Sequence, residues 1–207
     1  MKTILIKIGT SVLLTGRHKL DEFRIAHIAK QVQSLRKKGV GALLVVSGAV
    51  ACGTDISGFG IATKEDRQAS AGIGQPHLIA VFAKIFAKQK LNIAQVLLTE
   101  DIFESDARQA NLACLLKLYL DRGVIPLINE NDVVDLNSFG GNDFLTAAVA
   151  KLLSVDQVLM LSTMAGSKHG VGGGKAKLEA VAELKNGGCR ALILDGKAEN
   201  VILQHAL

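Results

Sequence analysis

Short apolar runs, often β-branched, alternate along this chain with longer segments whose apolar residues recur every three or four positions. The short runs predict β-strands, because strands buried on both faces are apolar along their whole length. They lie at residues 3–8, 42–47, 93–99, 124–128, 157–162 and 190–194.

The longer segments predict helices. Between the first two strands the apolar residues fall on one helical face, with Asp21 placed to cap the start and Gly39 the end. We expect the other helices at residues 64–90, 105–122, 143–153 and 175–185. Strands that alternate with helices predict an α/β fold, a three-layer αβα sandwich with a mostly parallel central sheet, in a single domain over residues 1–207.

Polar and small residues follow four of the predicted strands, at 9–11, 47–53, 129–132 and 162–166. The carboxyl ends of parallel strands meet at one edge of a sheet, where open α/β sheets bind their ligands. In VIPLINENDVVD, four polar residues follow a strand, which is more than a turn requires. The sequence therefore predicts a small-molecule site at this edge.

Composition narrows the function classes. The formal charge of +5 is spread over helical segments and aromatic residues make up only 4%, which argues against nucleic-acid binding. Three widely spaced cysteines form neither a disulfide framework nor a metal knuckle. No apolar run is long enough to span a bilayer, and the N-terminus lacks a cleavage site, so we expect a cytoplasmic protein without a membrane partner.

Lys7 stands inside an otherwise apolar strand, two residues before Gly9. It is either an edge-strand lysine that reaches water or an ammonium group beside a bound anion, and the two interpretations are about equal. Ser47 and Gly48 begin a turn of small residues that either serves close helix–sheet packing or holds phosphate or carboxylate oxygens.

Two further segments carry candidate chemistry. HGVGGGKAK, at 169–177, is not a Walker A loop, but its glycines and two lysines before a helix favour a phosphate cradle over a simple surface loop. In GGND, Asn142 or Asp143 is expected to cap a helix, although capping does not explain a second Asn/Asp group so soon after NEND. Two distant lysines, glycine-rich turns and Asn/Asp pairs at one edge together suit phosphoryl transfer.

Six segments resemble, in order, the motifs of the glutamate 5-kinases, which are members of the amino-acid kinase family. The segments are KIGTSVL, VVSGAVACG, AGIGQPHLI, VIPLINENDVV, GGND and GVGGGKAKLEA. INENDVV is the most specific of them, and the resemblance covers nearly the whole chain. It implies ATP-dependent phosphorylation of the side-chain carboxylate of L-glutamate, the first step of proline biosynthesis, with Mg²⁺ carried by ATP. It also implies a homo-oligomer and allows feedback inhibition by proline.

The resemblance implies a role for each matching residue. Lys7 and Lys177 would flank the transferring phosphoryl group, and Asp143 would orient them rather than act as a base. The residues implied in substrate binding are Ser47, Gly48, Asn129, Asp132 and Asn142. Those implied in ATP binding are Lys7, Ser162, Thr163, Val171, Gly172, Gly173, Gly174, Lys175, Ala176 and Lys177.

The chain departs from the family pattern in the implied nucleotide region. Thr163 and Gly174 stand where family members usually have Asp and Met, and residues 164–166 run almost directly into the glycine-rich loop. Either the chain is a short variant with an altered nucleotide site, or a loop is absent from the sequence near residues 166–168, which we favour. We also expect no C-terminal RNA-binding-like domain.

Three other functions compete with the leading hypothesis. One is another amino-acid kinase, such as an acetylglutamate kinase. Another is a catalytically silent sensor of glutamate or proline, which the departures in the nucleotide region favour and the two retained lysines disfavour. A nucleic-acid-binding module is the remote third.

Overall fold

A computed structural model describes residues 1–16, 19–163 and 174–207. The strands, numbered along the chain, are β1 (Thr3–Ile8), β2 (Gly41–Val46), β3 (Asn92–Leu98), β4 (Val124–Glu130), β5 (Gln157–Ser162) and β6 (Arg190–Asp195). In the described residues they form one sheet in the order β3-β4-β2-β1-β5-β6, and every pairing is parallel.

Helices cover both faces of this sheet. They are α1 (Thr10–Leu13), α2 (Glu22–Lys37), α3 (Ala49–Ser57), α4 (Lys64–Ala87), α5 (Asp106–Asp121), α6 (Asn142–Leu153), α7 (Gly174–Asn186) and α8 (Val201–His205), with a 3₁₀ turn at Glu100–Glu104. One apolar core lies between the sheet and α1, α2, α4 and α8, and a second between the sheet and α5, α6 and α7. The predicted αβα sandwich is confirmed. No helix in the described ranges is long and apolar enough to cross a membrane.

The predicted strands are all present, but β4 runs further than expected. It continues through Asn129 and Glu130, which pair with Leu97 and Leu98 of β3. Backbone pairing with a neighbour extends a strand regardless of side-chain polarity, so the apolar run alone underestimates its length. Half of the polar NEND segment is therefore strand rather than turn.

Two local predictions for helix starts have opposite outcomes. Asp21 caps α2 as expected, because its carboxylate accepts a hydrogen bond from the Arg24 N–H at 2.9 Å. The capping prediction for α6 is wrong: the N-cap is Gly141, and Asn142 and Asp143 are the first helical residues. The side chains of Asn142 and Asp143 therefore do not cap the helix and are available for other contacts.

Lys7 does not lie on an edge strand. β1 occupies the interior of the sheet, where Lys7 is paired with Val45 of β2 on one side and Met160 of β5 on the other. Its exposed fraction is only 6%. The interpretation as an edge lysine that reaches water is wrong, and the buried ammonium group requires a partner.

Glycines bring α3 and α4 into backbone contact. A Cβ at Gly74 would lie 1.9 Å from the Ala49 carbonyl oxygen, and a Cβ at Gly53 would lie 1.7 Å from the Ser70 carbonyl oxygen. Because both obstacles are backbone atoms, a side chain at either position would force the helices apart. This contact fixes α4 relative to the turn between β2 and α3.

Substitution of Gly74 tests that packing. Gly74→Ala should lower the free energy of unfolding by about 2 kcal/mol or more, since overpacking outweighs the better helix propensity of alanine. Urea unfolding measures the loss. Gly16→Ala is the control, because a Cβ there would meet nothing within 4 Å. Equal stability of the two variants would contradict the close packing.

Candidate functional site

One buried carboxylate joins two lysines at the carboxyl edge of the sheet. Asp143 Oδ1 lies 2.7 Å from Lys7 Nζ, and Asp143 Oδ2 lies 2.9 Å from Lys177 Nζ. Lys7 comes from β1, Asp143 from the first turn of α6 and Lys177 from the first turn of α7. The structure thus brings together all three residues for which the resemblance implies a catalytic role.

Burial and charge act in opposite directions on this cluster. The pKa of Lys7 lies below its ordinary value, chiefly because burial disfavours the ammonium form. The Asp143 carboxylate opposes this shift, while the nearby Lys177 adds to it. With both carboxylate oxygens engaged, the cluster carries two positive charges against one negative charge when its three groups are ionised.

Next to this cluster, side-chain amides form a hydrogen-bonded network. Asn142 Nδ2 lies 2.9 Å from Ser47 Oγ, 2.9 Å from Asn129 Oδ1 and 3.1 Å from the Val46 carbonyl oxygen. Asn129 Nδ2 in turn donates to Gln75 Oε1 at 2.9 Å. Asn142 Oδ1 is buried and accepts no hydrogen bond from any described residue. An unpaired buried acceptor of this kind is costly and indicates a missing donor.

Gly48 and Asp132 are the other two residues implied in substrate binding, and each lies within three residues of a network member along the chain. Gly48 is the N-cap of α3 with φ of 109°, a left-handed conformation that disfavours any side chain. Asp132 Oδ1 accepts a hydrogen bond from the Asn137 N–H at 3.1 Å. Burial raises the pKa of Asp132, while that N–H group and the charge of Arg67 oppose the shift.

Apart from Lys7 and Lys177 in the cluster, the residues expected to bind ATP divide into three groups. Ser162 is the last residue of β5, which pairs with β1, the strand that carries Lys7. Thr163 follows it, and its Oγ1 donates to Ser11 Oγ at 3.0 Å. Gly174, Lys175 and Ala176 begin α7, where the side chain of Lys175 is 91% exposed and pairs with Glu179 at 3.7 Å. Lys175 therefore does not join the lysine cluster. Val171, Gly172 and Gly173 lie outside the described residues.

Gly9 lies near the Lys7 ammonium and packs closely against the end of β5. A Cβ at Gly9 would lie 3.2 Å from the Leu161 carbonyl oxygen and 3.9 Å from Lys7 Nζ. The Gly9 N–H itself donates to that carbonyl at 3.0 Å, so it serves the sheet rather than an anion. The close approach to the Leu161 carbonyl oxygen favours glycine here, and the Gly9 N–H is not available to bind an anion.

Glu130 is a buried acid to which the sequence interpretation gave no role. Only 4% of it is exposed, and its Oε1 has no hydrogen-bond partner among the described residues. Burial raises its pKa to about 7, and Asp132, Asp135 and Glu100 add to the shift, against the Gly141 N–H that donates to it. Its place directly after an apolar strand was the one available signal.

Comparison with known proteins identifies the family. Residues 2–167 match the amino acid kinase family. The chain therefore belongs to the amino acid kinase family.

Within this family, the similar curated proteins are glutamate 5-kinases. The chain is 37% identical to glutamate 5-kinase of Thermus thermophilus over 238 aligned positions, which cover 98% of the chain and 64% of that relative. It is 32% identical to glutamate 5-kinase of Streptococcus suis, covering 98% of the chain and 67% of that relative. The chain thus spans about two thirds of the length of these relatives. Both names agree with the resemblance stated from the motifs.

Solved structures show the same fold at low identity. An isopentenyl phosphate kinase superposes with a TM-score of 0.67 at 14% identity, covering 98% of this chain and 94% of that one. UMP kinase of Ureaplasma parvum gives a TM-score of 0.66 at 14% identity, covering 98% and 93%. These structures support the fold alone.

The raised pKa of Glu130 predicts a pH-dependent stability. Between about pH 4.5 and about pH 7 the folded protein holds a proton that the unfolded chain has released. Stability therefore falls as pH rises through this window. Glu130→Gln removes the effect. The difference in free energy of unfolding, variant minus wild type, should therefore be about 2 kcal/mol larger at pH 8 than at pH 5.

Urea unfolding at both pH values measures that difference. Glu199→Gln, at an exposed position, is the control and should follow the wild type at both pH values. A constant difference between Glu130→Gln and the wild type across this range would contradict the raised pKa.

Proposed function

We propose that this chain transfers the γ-phosphoryl group of ATP to the side-chain carboxylate of L-glutamate, which yields L-glutamyl 5-phosphate. The observation that carries the proposal is the buried Lys7–Asp143–Lys177 cluster, which has a net positive charge when ionised. A buried excess of positive charge favours an anion beside it. The likeness to glutamate 5-kinases supports glutamate as the acceptor.

The two ammonium groups would act on the phosphoryl group during transfer. A carboxylate oxygen of glutamate attacks the γ-phosphorus, the bond from that phosphorus to the bridging oxygen of ADP breaks, and ADP leaves with the electron pair. Phosphoryl transfer gives the protein little covalent chemistry to perform, so positioning and charge neutralisation provide most of the rate. Lys7 and Lys177, which both contact Asp143, would supply that neutralisation.

Asp143 would orient the lysines and would not act as a base. Both of its oxygens are already engaged by ammonium groups. No base is needed, because a glutamate side chain is ionised at neutral pH.

The amide network would hold the amino acid. Asn142 Oδ1 offers a buried acceptor without a donor, and Asp132 offers a carboxylate. Both suit the ammonium group of the substrate. Ser47 and Asn129, which contact Asn142, and Gly48, which follows Ser47 in the chain, would complete the substrate site.

ATP would lie over the opposite side of the cluster. Ser162 and Thr163 at the end of β5 and the residues at the start of α7 would contribute to that site. Mg²⁺ would arrive with ATP, because it commonly binds through substrate phosphates. The described residues contain no cluster of three or more acidic, histidine or cysteine side chains that could hold a metal by itself.

Trapping the acyl phosphate tests the reaction. Incubation with ATP, Mg²⁺ and hydroxylamine should yield a hydroxamate from L-glutamate and none above background from N-acetyl-L-glutamate, because the buried acceptors suit a free ammonium group. Colorimetric detection of the ferric hydroxamate measures the product. Product from the acetylated substrate alone would instead identify another amino-acid kinase, and no product from either would contradict the proposal.

A further inference from the structure

Gln75 joins the amide network from helix α4 through a hydrogen bond with Asn129. It belongs to α4 and is 8% exposed. Its Oε1 accepts the hydrogen bond from Asn129 Nδ2 at 2.9 Å. Its place in the network raises the question of what a buried glutamine contributes from a neighbouring helix.

The direction of each hydrogen bond in the network is fixed by a backbone group. The Val46 carbonyl oxygen can only accept, so the atom of Asn142 that faces it must be Nδ2. Asn129 must then present Oδ1 to Asn142. Its Nδ2 consequently faces Gln75, which must present an acceptor.

This polarity determines what remains for a ligand. Nδ2 of Asn142 faces three acceptors, which share its two N–H groups, and its Oδ1 is the atom that lacks a partner among the described residues. An oxygen in that position accepts from N–H donors. The network therefore favours a ligand that brings an N–H donor, such as the ammonium group of an amino acid.

We propose that Gln75 is a positioning residue for the amino-acid substrate, because its side-chain oxygen fixes Asn129 in the orientation that holds Asn142. This inference rests on the proposed function. Without an acceptor at position 75, the Nδ2 of Asn129 is a buried donor with no partner, since Asn129 is only 2% exposed. The Asn129 amide then turns, and Asn142 loses one of the acceptors that hold it.

The close contact between α3 and α4 explains how Gln75 can act at such short range. Gly74, its neighbour in the chain, is the residue whose Cβ would meet the Ala49 carbonyl oxygen at 1.9 Å. Ala49 is the first residue of α3 and directly follows Ser47 and Gly48 of the turn after β2. The same backbone contact thus sets the position of Gln75 relative to the substrate residues of that turn.

A pair of substitutions separates the acceptor from the bulk of the side chain. Gln75→Met keeps the length but removes the oxygen, whereas Gln75→Glu keeps an acceptor. Isothermal titration calorimetry with L-glutamate should show an affinity about tenfold weaker for Gln75→Met and within about threefold of wild type for Gln75→Glu. ATP affinity should change less than about twofold in both variants.

Gln33→Met is the matched control. Gln33 also uses its side chain in one hydrogen bond, from Nε2 to the Gln89 carbonyl oxygen at 2.7 Å, but on α2 and outside the network. Its loss should leave glutamate affinity unchanged. Thermal unfolding confirms that each variant is folded, and Gln75→Asn, which withdraws the acceptor by one methylene, replaces Gln75→Met if that variant does not fold.

The binding measurement separates this inference from the proposed function. Wild-type affinity in the acceptor-less variant, equal losses in Gln75→Met and Gln75→Glu, or equal losses for glutamate and ATP would each overturn the role of Gln75. If the wild type binds glutamate but makes no hydroxamate, the proposed reaction fails while the calorimetry still decides the role of Gln75. If the wild type binds no glutamate, both fail.

Discussion

The site depends on one buried carboxylate held between two ammonium groups. Asp143 is 4% exposed, and both of its oxygens face lysines. An isolated ammonium group as buried as that of Lys7 would be strongly disfavoured, so the carboxylate is what allows it to lie inside the sheet. When its three groups are ionised the arrangement carries one excess positive charge, and under the proposed function that excess would bind and stabilise a transferring phosphoryl group.

Three segments that are distant in sequence converge at this cluster. β1 places Lys7 in the interior of the sheet. The first turn of α6 supplies Asp143, and the first turn of α7 supplies Lys177. Since Gly141 provides the N-cap of α6, the side chains of Asn142 and Asp143 are free for the network and for the cluster. The adjacent side chains thus make different contacts: Asn142 joins the amide network, and Asp143 joins the two lysines.

Much of this could be predicted from the sequence, and the failures have local physical causes. The apolar runs predict the strands well because parallel strands buried on both faces carry no polar alternation. The same pattern cannot reveal strand order, which is why Lys7 was equally consistent with an edge position. Helix capping was predicted from residue type, but a glycine with φ of 120° took that position before Asn142.

The contributions of Gln75 and Glu130 could not be predicted in the same way. Gln75 is one polar residue within a helix, and only the backbone contact through Gly74 brings it to Asn129. The raised pKa of Glu130 follows from burial at the end of β4 and from acids of other segments, which spacing along the chain does not show. The expectation of an absent loop near residues 166–168 falls outside the described residues and stays a prediction, as does the single-domain assignment.

A double-mutant cycle tests the central claim that Lys7 and Lys177, joined by one carboxylate, act together in phosphoryl transfer rather than independently. Single-turnover rates of hydroxamate formation would be measured for Lys7→Met, Lys177→Met and the double variant, with Lys185→Met, in the last turn of α7, as the control. Each single substitution should slow transfer by about 10²-fold or more, and the double variant should be little slower than either single one. Losses that multiply in the double variant would contradict the account, because they would mean that the two lysines act independently.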